Sequence, residues 1–126
     1  VEANGWNDTI VRSLAATLST QFAHVIALPI AEPQNQFGNL IILASDRTLD
    51  MNTDLLGNPF DYLQDEYWHW VVVERNHAWA NRFEPKPAGA PVLTDDLNPV
   101  DLWSDELNRI ARLELHKSPG WGKLVY

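Results

Sequence analysis

Two runs of consecutive apolar residues constrain this chain more than any other feature: Val25-Ile26-Ala27-Leu28 and Leu40-Ile41-Ile42-Leu43-Ala44. A strand that is apolar on both faces must be covered on both faces. The first run sits in a predicted strand from His24 to Ile30. A polar connection from Glu32 to Gly38 leads to the second, short enough for an antiparallel hairpin around Pro33 and Gly38. An isolated two-stranded hairpin is barely stable in water. No other pair of buried strands is legible in the sequence, so the pair reads as part of a sheet that continues elsewhere.

Helices are predicted on either side of this pair. Asn7 or Asp8 can cap a helix whose apolar positions are Ile10, Val11, Leu14, Leu18 and Phe22, with Ala15 and Ala16 allowing close approach to a sheet. Downstream, 46–52 reads as an irregular exit and 54–64 as a short helix. The Trp-rich stretch 66–83 holds Tyr67, Trp68, Trp70, Trp79 and Phe83. Its three valines, Val71 to Val73, favour a strand, so 67–73 stays undecided, whereas 74–83 reads as helical. Pro85, Pro87, Gly89 and Pro91 mark a loop. Asn98 as N-cap, Pro99 at the first helical position and Asp101 in the first turn predict a last helix. It continues through Leu102, Leu107 and Ile110 to about Leu115, with His116 and Lys117 at its end and Pro119-Gly120 as the stop.

Composition narrows the function classes. With no cysteine among 126 residues, a disulfide framework, thiolate metal ligation and a cysteine nucleophile are all excluded. A formal charge of −8 disfavours nucleic acid and anionic membranes, and is compatible with cationic ligands such as polyamines. No apolar run approaches the ~20 residues of a membrane span. Val1 is neither a methionine nor the start of a signal peptide, so the expectation is that the native start lies upstream or was removed.

The segment Val92-Leu93-Thr94-Asp95-Asp96-Leu97-Asn98-Pro99-Val100-Asp101 resembles the Leu-Thr-Asp-Asp-x-x-Pro-Val-Glu/Asp signature near the C-terminus of spermidine-synthase-like proteins, including forms fused to membrane segments. Asn39 to Ser45, ending Leu-Ala-Ser, resembles their last strand. The order of helix, buried strand, loop and buried strand is similar to the end of the class I methyltransferase fold, whose final strand is inserted antiparallel. The resemblance covers about residues 10–45 and 92–116. It implies an α/β, Rossmann-like fold of which this chain is the C-terminal portion. Residues 1–46 would supply the last helix and an antiparallel strand pair, and 47–126 a mostly helical C-terminal extension.

The same resemblance implies an aminopropyltransferase of polyamine biosynthesis that uses decarboxylated S-adenosylmethionine as co-substrate. That family binds the nucleoside on a Gly-rich turn followed by an acidic residue, beyond the strand carboxyl ends. No such unit can be placed here, so no catalytic residue, cofactor site or metal site is assigned to this chain. The family's Tyr-Pro-x-Gly turn, which walls the amine pocket, corresponds to Gln34-Asn35-Gln36-Phe37-Gly38-Asn39. Phe37, Gly38 and Asn39 are therefore candidate substrate-binding residues, together with Asp95 and Asp96. The Tyr-Pro pair is absent, so putrescine specificity does not carry over. The implied partners are a missing N-terminal half or further copies of the chain, with polyamine as substrate of the whole protein. The implied location is cytoplasmic, without membrane contact by this segment.

Each candidate has a plainer reading. Thr94, Asp95 and Asp96 can simply cap turns leading into the last helix. Glu66-x-x-His69 and Glu74-x-x-His77 have the spacing of di-metal carboxylate ligands, but on one helix they stand about 12 Å apart and cannot share a centre. The tryptophans, six in all, suit packing better than base stacking, since no basic patch accompanies them. Asn7-Asp8-Thr9 is an incidental glycosylation sequon without a secretory signal. Ser13, Ser19 or Ser104 with His24 or His116 lacks a nucleophile elbow, and the hydrolytic reading is discarded. A non-catalytic interaction module, with its apolar surface buried by self-association or by another chain, is the alternative to the transferase reading.

Overall fold

The structure, a computed structural model, describes residues 1–30, 33–51, 57–96 and 98–117. Its elements are β1 (Glu2–Asn4), α1 (Thr9–Leu18), β2 (His24–Pro29), β3 (Phe37–Ser45), α2 (Asp65–Ala80) and α3 (Val100–Lys117). The three strands form one sheet in the order β1-β3-β2, with both neighbouring pairs antiparallel. Since β3 runs against both flanking strands, β1 and β2 are mutually parallel, and α1 is the crossover between them. The chain is thus a small α/β domain.

The hairpin forms as the two apolar runs require, in a register from His24↔Ser45 to Pro29↔Leu40. β1 is the strand that sequence patterning misses. Its Glu-Ala-Asn offers a single apolar residue and poor strand formers. Pairing carries it instead: the Val1 amino group donates to the Leu40 carbonyl at 2.7 Å, and the Leu40 N–H donates to the Val1 carbonyl at 2.8 Å. Ala3, opposite Gly38, is buried.

Both sheet faces are covered. On one, Ala3, Leu40 and Ile42 meet Ile10, Val11 and Leu14 of α1 and Leu107 of α3, with Val100 and Trp103 packed alongside. Trp6 stacks flat on Phe83 in the same cluster, ring centroids 4.7 Å apart. On the other face Leu28, Ile26 and Leu43 meet Ala78 and Trp79 of α2. Residues on either side of position 46 therefore share a core.

The undecided stretch 67–73 is helical, inside an unbroken α2. The valines' strand propensity is overridden because Trp68, Val72, Asn76 and Trp79 recur at helical spacing and turn inward, Trp79 becoming buried. Asp65 and Glu66 favour its amino end electrostatically. The helix expected over 54–64 falls partly outside the described residues. From Asn58 onward the chain forms turns instead: the Asn58 side chain accepts from the Phe60 N–H at 3.0 Å and donates to the Leu63 carbonyl at 2.6 Å. At α3 the Pro99 carbonyl accepts from the Trp103 N–H at 3.1 Å, as a proline at a helix start should. Later in α3, a hydrogen bond from Arg109 Nε at 2.8 Å holds the Glu106 carboxyl below its ordinary range. The stop expected at Pro119-Gly120 lies outside the described residues.

Among the described residues, one bridge closes the outer edge of β2. Ala27 and Phe83 exchange both backbone hydrogen bonds, at 2.8 and 3.0 Å. Extending that antiparallel register would pair Val25 with Pro85 and Pro29 with Asn81. Each of those pairs contains a proline, which has no N–H to give. Two prolines thus confine the bridge to a single pair.

Candidate functional site

β1 and β2 both end at the same rim of the sheet, the rim where β3 begins. The turn out of β1 is fixed by two residues. Gly5 has φ +92, and a Cβ there would lie 2.7 Å from the Gln34 carbonyl oxygen. Only glycine permits both that conformation and that approach. Immediately after it, the Trp6 N–H donates to the same Gln34 carbonyl at 3.0 Å. Asp8 then accepts twice, from the Ile10 N–H at 3.0 Å as the cap of α1 and from the Asn4 N–H at 2.7 Å. One carboxylate therefore joins the end of β1 to the start of α1.

Beside this turn lies a cavity of about 510 Å³, lined by Asn4, Asn35, Gln36, Phe37 and Ile110. Three amides face an aromatic ring and an aliphatic side chain there. Such a wall can hold a small ligand by neutral hydrogen bonds and apolar contact. None of these five described lining residues is titratable.

Of the expected substrate-binding residues, Phe37 lines this cavity, half-buried, at the first position of β3. Gly38 is buried opposite Ala3, and Asn39 is exposed opposite Glu2. Asp95 and Asp96 are exposed and lie elsewhere. The loop preceding them is strapped to α1: Arg12 donates from Nε to the Lys86 carbonyl at 3.2 Å and from a terminal nitrogen to the Ala88 carbonyl. In the last turn of α1, Thr17 Oγ1 donates to the Ser13 carbonyl at 2.7 Å and accepts from the Leu93 N–H at 2.8 Å. Because α1 runs from the end of β1 to the start of β2, Leu93 and the Thr94-Asp95-Asp96 turn sit at the opposite rim from Phe37. The structure does not bring the two candidate groups together.

Asn4, Asn35, Gln36 and Ile110 are the lining residues that sequence reasoning missed. Asn35 and Gln36 belong to the stretch matched to the family's turn but were not singled out within it. Ile110 carried no signal, because only the packing of α3 brings it to this rim.

The two Glu-x-x-His pairs lie on the continuous helix α2, with His69 and His77 exposed. Among the described residues there is no group of three or more side chains suited to a metal ion. Ser13 is wholly buried with Oγ unpartnered, whereas His24 is exposed. No helix among the described residues is long and apolar enough to cross a membrane. Comparisons with protein-family models, with curated proteins and with solved structures returned no match for this chain.

Proposed function

We propose that the chain is the C-terminal segment of a spermidine-synthase-like aminopropyltransferase, contributing part of the amine-pocket wall and no catalytic group. The observation that carries this reading is the strand arrangement. A helix, a strand and a last strand inserted antiparallel are the order the resemblance expects at the end of a class I methyltransferase-like sheet, and here that last strand lies between two mutually parallel ones.

In the whole protein an amine nitrogen attacks the carbon beside the sulfonium of decarboxylated S-adenosylmethionine. The carbon–sulfur bond breaks, its electron pair stays on sulfur, and methylthioadenosine leaves. The new ammonium then loses a proton to a carboxylate upstream of this segment. Rate acceleration comes from positioning and from that base. The part proposed for this chain is to bound the amine with Phe37 and the amides beside it. Asp95 and Asp96 keep a turn-forming role.

Determining the transcript upstream of the Val1 codon tests this. The expected result is an in-frame strand, Gly-rich turn and helix followed by an acidic residue. An initiation codon immediately before Val1 would overturn the reading.

A second reading, a protein-interaction module, is favoured by α2. Its outward stripe carries Tyr67 at 56% exposure and Trp70 at 61%, with Val71 and Val73 beside them. If this stripe is the interface, Trp70→Ser reduces the mass of the chain in solution while shifting stability by less than about 0.5 kcal/mol. An unchanged mass removes the stripe as a self-association surface.

A further inference from the structure

A second cavity, of about 380 Å³, opens at the rim where β2 begins. It lies along the strand edge that the single Ala27–Phe83 bridge leaves open. Phe83 turns its ring onto Trp6, so its neighbours Arg82 and Glu84 project from the opposite side of an extended segment, about 6.6 Å apart along the chain. Both line the cavity, with Val25 on the facing wall and His24, Ser19 and Thr48 nearby.

Three features mark it as a built site. First, the Arg82 guanidinium is held in place, 4.3 Å above the Trp79 ring centroid and donating to the Trp79 carbonyl at 2.9 Å. Its other N–H groups remain for a ligand. Second, Arg82 and Glu84 form no ion pair with each other or with any described residue. One basic and one acidic residue thus line one cavity with no ion pair between them. Third, Val25 shares the outward parity of Ala27, and no hydrogen bond joins it to Pro85. Its N–H and C=O offer one donor and one acceptor on the cavity wall.

We infer that this cavity binds a small zwitterion bearing an α-amino and an α-carboxylate group, that is, a free amino acid. The carboxylate meets Arg82 and the Val25 N–H. The ammonium meets Glu84 and the Val25 carbonyl. A cavity of this size holds such a molecule comfortably. The site lies at the opposite rim from the proposed amine-pocket wall and stands whether or not that reading does.

The test is a titration of the isotope-labelled 126-residue chain with L-serine, followed by NMR. Propionate and ethylamine serve as controls carrying one charge each. The expected result is saturable movement of the Val25 and Glu84 amide signals with a Kd near 1 mM, and at least tenfold weaker effects from either control. Arg82→Gln and Glu84→Gln, both at exposed positions, should each raise the Kd about tenfold and leave the remaining spectrum in place. Absence of saturable movement up to ~10 mM L-serine overturns the inference, as does propionate or ethylamine binding as tightly as L-serine.

Discussion

At the residue scale, the turn from β1 into α1 rests on Gly5 and Asp8. Gly5→Ala places a Cβ against the Gln34 carbonyl in a backbone conformation that alanine resists. It should lower stability by about 2 kcal/mol, read as a lower urea midpoint at unchanged slope. Asp8→Ala removes the α1 cap and leaves the Asn4 N–H without its acceptor. Its expected cost is about 1–2 kcal/mol by the same measurement. A midpoint unmoved by Asp8→Ala would mean that β1 is not anchored through this carboxylate. Asp8 was legible in the sequence as a cap, but its second bond was not, because nothing in Glu-Ala-Asn announces a strand whose end needs an acceptor.

At the scale of elements, the hairpin, the outer helices and the second half of α2 were readable, while 67–73 was not. The Val25–Leu28 and Leu40–Ala44 runs carry their own instruction, since unbroken apolar residues have to be covered on both sides. The Asn98-Pro99 start of α3 is equally local. Residues 67–73 are different, because valine and tryptophan fit a strand or a buried helix, and Leu28 and Leu43 across the interface decide the matter. Of the candidate site, Phe37 was found through its turn. That Asp95 and Asp96 belong to the other rim depends on Arg12 and Thr17 gripping residues about 75 positions away. Thr17→Val tests that grip. Removing the acceptor for the Leu93 N–H should cost about 1 kcal/mol and speed hydrogen exchange at that amide. Unchanged exchange at Leu93 would show that the loop is held without α1.

At the scale of the whole molecule, the three strands and three helices of the described residues close a core on both sheet faces. Among the described residues, the rim where β1 and β2 end is walled by three amides, the Phe37 ring and Ile110. The chain's charge of −8 adds a general preference for cations over anions, without choosing among amines. The outer edge of β2, bridged among the described residues at Ala27 alone, also invites pairing between copies when nothing else fills it.

The central claim is that the nucleoside site of the proposed aminopropyltransferase lies outside these 126 residues, and calorimetric titration with methylthioadenosine, with the mass in solution measured on the same sample, tests it most directly. The account predicts no binding heat, together with a dimer or larger species formed through the unfilled sheet edge. A monomer that binds methylthioadenosine with a Kd of about 1 μM would contradict it, because the chain would then hold a nucleoside pocket of its own.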